Sequence, residues 1–170
     1  MVSFREASVT DDAALALLTE YFSARALGFP SSQGEYKTTF PSPDQFEKPR
    51  GVFVIVEDED LSGEPADVGC GGIRRLDGGV GSGVGSGVGS GRFEIKHLWL
   101  QPHLRGRGFG RVLLTELETR ARELGATELV LDTNASLEAA GGLYRSSGFI
   151  EIAPYNDNPN ANAWFGKPLS

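Results

Sequence analysis

"HLRGRGFGRV", residues 103–112, sets three arginines and three glycines between an apolar strand-like run, "RFEIKHLWL" (92–100), and an apolar helix-like run, "GRVLLTELETRARELG" (110–125). A helix that starts directly after a strand presents its first backbone N–H groups and the positive end of its dipole, a combination that suits an anion. Gly106, Gly108 and Gly110 remove the β-carbons that would hold an anion away from those amides, and Arg105, Arg107 and Arg111 add charge. The spacing is not the dinucleotide G-x-G-x-x-G, because Arg111 stands where the third glycine belongs, and no G-K-[ST] follows to make a P-loop. A pyrophosphate is the best-matched guest.

Outward from this junction, strand and helix signals follow one another. "VSFREA" (2–7) reads as a short strand. "SVTDDAALALLTEYFSARALG" (8–28) reads as a helix capped by Thr10, with Leu15, Leu18, Tyr21 and Phe22 on one face and Gly28 and Pro30 at its end. Pro30, Pro41, Pro43 and Pro49 break up the next stretch, a lid or a plain connection. "GVFVIVEDED" (51–60), "DVGCGGIRRL" (67–76) and 92–100 form an antiparallel meander. "TELVLDT" (127–133) is a buried strand, and "SLEAAGGLYRSSGF" (136–149) a shorter helix capped by Ser136. "IEIAPY" (150–155) and "ANAWFGKPL" (161–169) are closing strands. The order predicts one α+β (mixed α/β) domain over 1–170. The low-complexity "GGVGSGVGSGVGSG" (78–91) has almost no side chain to bury and is expected to be a flexible hairpin loop.

A length of 170 residues suits one compact domain, and a net charge of -7 argues against broad nucleic-acid or anionic-membrane binding. A neutral or cationic small partner fits better. Cys70 is the only cysteine, so no internal disulfide can form, and it reads as a small buried strand residue. No metal-ligand set is evident. No stretch is apolar enough to span a bilayer, so the expected location is the cytoplasm. Strand edges near the C-terminus offer a route to a homodimer.

"EIKHLWLQPHLRGRGFGRVLL" together with the later "LYRSSGF" resembles the acetyl-CoA-binding core of the GNAT superfamily of N-acetyltransferases, whose phosphate loop has the pattern [QR]-x-x-G-x-[GA]; Arg105, Gly108 and Gly110 fill that pattern. The resemblance implies a single domain with a twisted, mixed, mostly antiparallel sheet, flanking helices and two central parallel strands that splay apart. It implies that acetyl-CoA is the co-substrate and that the backbone of Leu98, Trp99 and Leu100 pairs with its pantetheine arm. The loop Arg105, Gly106, Arg107, Gly108, Phe109, Gly110 and Arg111 would then wrap the pyrophosphate. Many relatives place an asparagine seven residues before the tyrosine of the "LY" pair; Leu137 stands there in this chain, and nearby Asn134 is the candidate pantetheine contact.

Glu94 lies eleven residues before Arg105, a spacing at which several family members place a general base, and it is expected to take a proton from the acceptor amine. His97 is the rival base, but on an unbulged strand it would lie on the face opposite Glu94. Tyr144, in the "LY" pair, is the expected proton donor to the departing CoA thiolate. The implied function is transfer of an acetyl group to an amine of a small molecule or peptide by direct attack. The alternatives are a non-catalytic acyl-CoA or amine sensor and an acyltransferase that uses another donor.

Overall fold

The computed structural model describes residues 1–76 and 91–169. Among these residues, seven strands and three α-helices succeed one another in chain order: β1 (Ser3–Glu6), α1 (Asp12–Gly28), β2 (Gly51–Glu59), β3 (Pro65–Arg75), β4 (Arg92–Leu100), α2 (Phe109–Glu123), β5 (Glu128–Thr133), α3 (Glu138–Ser146), β6 (Ile150–Glu151) and β7 (Ala163–Pro168). They form one sheet in the order β1-β2-β3-β4-β5-β7-β6. Every neighbouring pair is antiparallel except β4 and β5. This is the expected α+β architecture, and β2-β3-β4 is the expected meander. The Gly/Ser/Val loop expected at 78–91 lies, apart from Gly91, outside the described residues.

Alternation along the strands divides the core in two. Val52, Val54 and Val56 of β2, with Phe93 and Ile95 of β4, pack against Leu113, Leu114 and Leu117 of α2. Phe53 and Ile55 point the other way, with Cys70, toward Leu17, Leu18 and Phe22 of α1. Cys70 is fully buried, as expected of a packing residue. The sheet is therefore covered by α2 on one face and α1 on the other.

Three local expectations are corrected. The N-cap position of helix α1 is Asp11, which makes no side-chain capping bond, and the expected cap Thr10 lies one residue earlier with its hydroxyl bonded to that of Ser8 at 2.8 Å. Its buried stripe runs through Ala14, Leu17, Leu18 and Phe22, which leaves Leu15 39% exposed. Helix α3 is not capped by Ser136; its entry turn is set by Asn134, whose Oδ1 accepts from the Ser136 amide at 3.1 Å and whose carbonyl accepts from Leu137 at 3.0 Å.

Two irregularities in β4 shape the middle of the sheet. The ladder between β4 and β5 holds only three residue pairs, Arg92 with Glu128, Phe93 with Leu129 and Glu94 with Val130, after which the strands part. On its other side β4 is bulged: Lys96 faces Gly72 and Trp99 faces Cys70, so His97 and Leu98 together stand opposite Gly71. His97 takes a φ of 58°, rare for a side chain with a β-carbon.

Leu117 is fully buried under β3 and marks how firmly α2 is bound to the sheet. Leu117→Ala is expected to cost about 2 to 5 kcal/mol of unfolding free energy in urea titrations, with the rest of the fold retained.

Candidate active site

The parting of β4 and β5 opens a cavity of about 560 Å³ that runs through the sheet. Its wall includes Ile95 and Leu98 from the α2 face of β4, and Lys96 and His97 from the α1 face. Leu131, Asp132 and Thr133 of β5 line the other side, α1 and the chain from Phe29 to Phe46 cover one end, and Tyr144 of α3 reaches in from the other.

Where backbone pairing stops, charges take over. Lys96 reaches from β4 to Asp132 on β5, with Nζ at 3.0 Å from Oδ1 and 3.2 Å from Oδ2. Asp132 also accepts from the amides of Asn156 at 2.7 Å and Asn158 at 3.1 Å. Burial by itself would raise this carboxyl; Lys96 and the two amides outweigh it and hold the group below the usual carboxylate range.

Glu94 sits deeper and does not line the cavity. It is fully buried, and Oε1 accepts from Arg74 Nε at 2.9 Å while Oε2 accepts from the Tyr155 hydroxyl at 2.6 Å. Lys96 Nζ is 3.6 Å away. Sequence reasoning misses Tyr155, since it lies where strand-like "IEIAPY" is expected to continue; pairing in β6 covers only Ile150–Glu151, and the freed chain folds back over Glu94. It misses Asp132, Asn156 and Asn158 as well, for only the tertiary structure brings the loop after β6 to β5.

The bulge turns His97 to the same face as Glu94 and Lys96. Its ring packs among Tyr21, Phe22 and Phe46, with centroids 5.5 to 5.8 Å away. The buried Nδ1 has no hydrogen-bond partner among the described residues. Burial, with Lys96 and Arg74 nearby, pulls the pKa of this imidazole down to about 3, so it is neutral near pH 7 and a weak proton acceptor. Tyr144 is buried against Phe149 and Phe165, and burial pushes its hydroxyl up to about 12. It is protonated near neutrality.

The glycine loop forms the second half of the site. Gly106 and Gly108 take φ values of 73° and 86°, and Gly108 is the residue from which α2 starts. Among the described residues, none of the backbone N–H groups from Gly106 to Arg111 donates to a protein acceptor; Val112 is the first that does, to the Gly108 carbonyl at 3.3 Å. A β-carbon at Gly108 would meet nothing within 4 Å, so the side above this turn is open. Gly110 has a packing role, since a β-carbon there would lie 2.9 Å from Leu143 of α3.

The three arginines differ in placement. Arg105 folds back on β4, donating from Nε to the Leu100 carbonyl at 3.1 Å and stacking 4.8 Å from the Trp99 ring centroid. Arg107 lies over Phe109 at 5.0 Å, and Arg111 ties α2 to the Ser146 carbonyl and hydroxyl at 3.2 and 3.0 Å.

Leu98, Trp99 and Leu100 lie on the part of β4 that has no partner on the β5 side among the described residues. The Trp99 side chain is turned to α1, where Nε1 donates to Glu20 at 3.1 Å. Asn134 reaches the cavity wall with its amide already engaged, Nδ2 donating to Gln33 Oε1 at 2.7 Å and to the Asn160 carbonyl at 3.2 Å.

The sequence and the fold have known counterparts. The profile of the Acetyltransferase (GNAT) family matches residues 13–149, and the chain belongs to that family. An uncharacterized N-acetyltransferase of Dictyostelium discoideum is 41% identical over 69 residues, covering 41% of this chain and 32% of that protein. The IAA acetyltransferase of Azospirillum brasilense is 34% identical over 106 residues, covering 60% of this chain and 61% of that protein. The chain thus matches about a third to three-fifths of the length of these curated relatives. A GNAT family acetyltransferase from Elizabethkingia anophelis, solved with acetyl-CoA bound, shares the fold at a TM-score of 0.62 and 15% identity, covering 99% of this chain and 98% of that one.

The low pKa of His97 has a consequence for stability. The imidazole binds a proton near pH 6.5 when unfolded and only near pH 3 when folded, so the unfolded state holds more protons in between and stability rises with pH across that window. Between pH 5 and 6.5, above the ordinary carboxylate range of about 4, wild type is expected to gain stability in urea titrations and His97→Gln to show a flatter dependence.

Proposed function

We propose that this protein transfers an acetyl group from acetyl-CoA to an amine of a small molecule or peptide. One observation carries the reading: an open backbone edge of β4 runs from the split at Glu94 toward a turn whose amides, Gly106 to Arg111, have no partner among the described residues. The turn is largely exposed, with only Phe109 and Gly110 half-buried, so its free amides face solvent and are available to a ligand that brings acceptors. A pyrophosphate supplies them at the turn, and an amide-bearing arm such as pantetheine supplies them along Leu98 to Leu100. The acetyl-CoA bound in the Elizabethkingia structure supports the same assignment.

In this reading the thioester lies in the gap between β4 and β5, with the acceptor amine arriving from the α1 side. The amine nitrogen attacks the carbonyl carbon, a tetrahedral intermediate forms and gives its extra nitrogen proton to water, and the C–S bond breaks. Tyr144, protonated and facing the cavity, gives the thiolate its proton and recovers one from solvent. The nitrogen must be unprotonated to attack. The burial of Glu94 and its bonds to Arg74 and Tyr155 favour a positioning role for it, holding Lys96 and the base of the split. Asp132, on the cavity wall with a lowered pKa, suits an anchor for the ammonium better than an acceptor of its proton. The amine then loses its proton to water before attack.

Gly108→Trp tests the cradle. The turn has open space above it, so the variant should fold at a strain cost of about 1 to 2 kcal/mol, while calorimetric acetyl-CoA affinity should fall about tenfold or more. Unchanged affinity in the folded variant would remove the acyl-CoA assignment.

A pH–rate profile separates the proton routes. With water as acceptor, turnover should rise with the fraction of free amine, and Glu94→Gln should keep the shape of that profile while lowering stability. A profile that flattens in Glu94→Gln would return the role of base to Glu94. Tyr144→Phe should lower turnover by about a hundredfold or more with acetyl-CoA affinity retained.

A further inference from the structure

The cavity wall carries one cation that the described residues leave uncompensated on its inner surface. Arg74 is matched by Glu94 and by Gln45 Oε1 at 2.6 Å, and Lys96 by Asp132. Arg25, in the last turns of α1, lines the same cavity half-buried and, among the described residues, has neither a hydrogen bond nor an ion pair. Its guanidinium stacks over the Tyr21 ring, 5.2 Å from the centroid. Lys37, also without an ion-pair partner among the described residues, adds positive charge at the exposed rim.

The surroundings of Arg25 are aromatic. Phe29 and Tyr36 meet at 5.6 Å between centroids, and Phe22 and Phe40 at 4.9 Å, all four on the cavity wall. Tyr144 lines the same cavity as Arg25 and Asp132. The cavity therefore has at one end a cation unpaired among the described residues, the Lys96–Asp132 pair on its side and an aromatic wall, with the expected proton donor on the same surface. The residues of the phosphate cradle, 105–111, do not line this cavity, so an anion held there is not on the surface that carries Arg25.

A guanidinium taken partly out of water without an anion is costly, and its planar fork matches the two oxygens of a carboxylate. We propose that the acceptor amine carries its own carboxylate: an amino acid with an apolar or aromatic side chain, its carboxylate paired with Arg25, its ammonium directed to Asp132 and its side chain against Phe29, Tyr36 and Phe40. This deepens the acetyl-transfer reading and rests on it. Such an amino acid is neutral overall, within the neutral or cationic class expected from the acidic chain, and its carboxylate answers a local cation that the net charge of -7 does not reveal.

The test compares phenylalanine, leucine and methionine with their carboxamides and their decarboxylated amines, reading CoA release from acetyl-CoA. The acids are expected to show kcat/KM about tenfold or more above both partners. Arg25→Gln should collapse that ratio toward one, and Arg25→Lys, which keeps the charge and loses the fork, should give an intermediate ratio. Equal use of acids and carboxamides, a ratio that survives Arg25→Gln, or better use of O-phosphoethanolamine than of phenylalanine would each overturn the carboxylate assignment while leaving acetyl transfer intact. Calorimetric titration of phenylalanine into the CoA complex reads the subsite without turnover. Binding that depends on Arg25, with no amine acetylated, would keep the subsite and remove the acetyl-transfer reading; no binding and no turnover would remove both.

Discussion

The pair formed by Lys96 and Asp132 spans the place where the sheet comes apart. Beyond Glu94 and Val130 the two parallel strands no longer pair, and Lys96 crosses the opening to Asp132 at 3.0 Å. An ion pair tolerates a separation that a β-ladder, with strands about 4.8 Å apart, does not. Behind it, fully buried Glu94 binds Arg74 of β3 and Tyr155 of the loop after β6, so the base of the split is fixed from two further directions. Removing one partner of such a buried group leaves the others without compensation, which makes the cluster a strong constraint on geometry even where its net contribution to stability is small.

The bulge in β4 is the second constraint. One extra residue opposite Gly71 shifts the alternation of the strand, so that His97 joins Glu94 and Lys96 on the α1 face while Leu98 and Leu100 pack on the α2 side. Without that shift the α1 side of the cavity would lack His97, and the strand edge beside the split would present a different set of backbone groups. His97 holds a left-handed backbone conformation and, among the described residues, a buried nitrogen without a partner. Strain of this kind collects where a site is being shaped.

Charge is distributed unevenly over the molecule. The chain carries a net charge of -7, yet the cradle gathers Arg105, Arg107 and Arg111 and the cavity gathers Arg25, Arg74 and Lys96. Counting charges over the whole sequence describes solubility and long-range attraction, and the walls of a cavity can have the opposite character.

The sequence by itself determined the class of fold, the antiparallel meander and the glycine turn, because these depend on local properties: alternation of apolar residues, the conformational freedom of Gly106 and Gly108, and the free amides at the start of a helix. It also placed Tyr144 on a helix and Cys70 in the core. The tertiary structure decided what the charged groups do. Glu94 has the sequence signature of an accessible strand-end carboxylate and is sealed by Arg74 and Tyr155, and the position of His97 depends on a one-residue bulge that no spacing in the sequence announces. Asp132, Asn156, Asn158 and Arg25 become neighbours of one cavity only when three distant segments pack together. Burial and partnership set the protonation and reach of an ionisable side chain, and both are properties of packing between segments far apart in the chain.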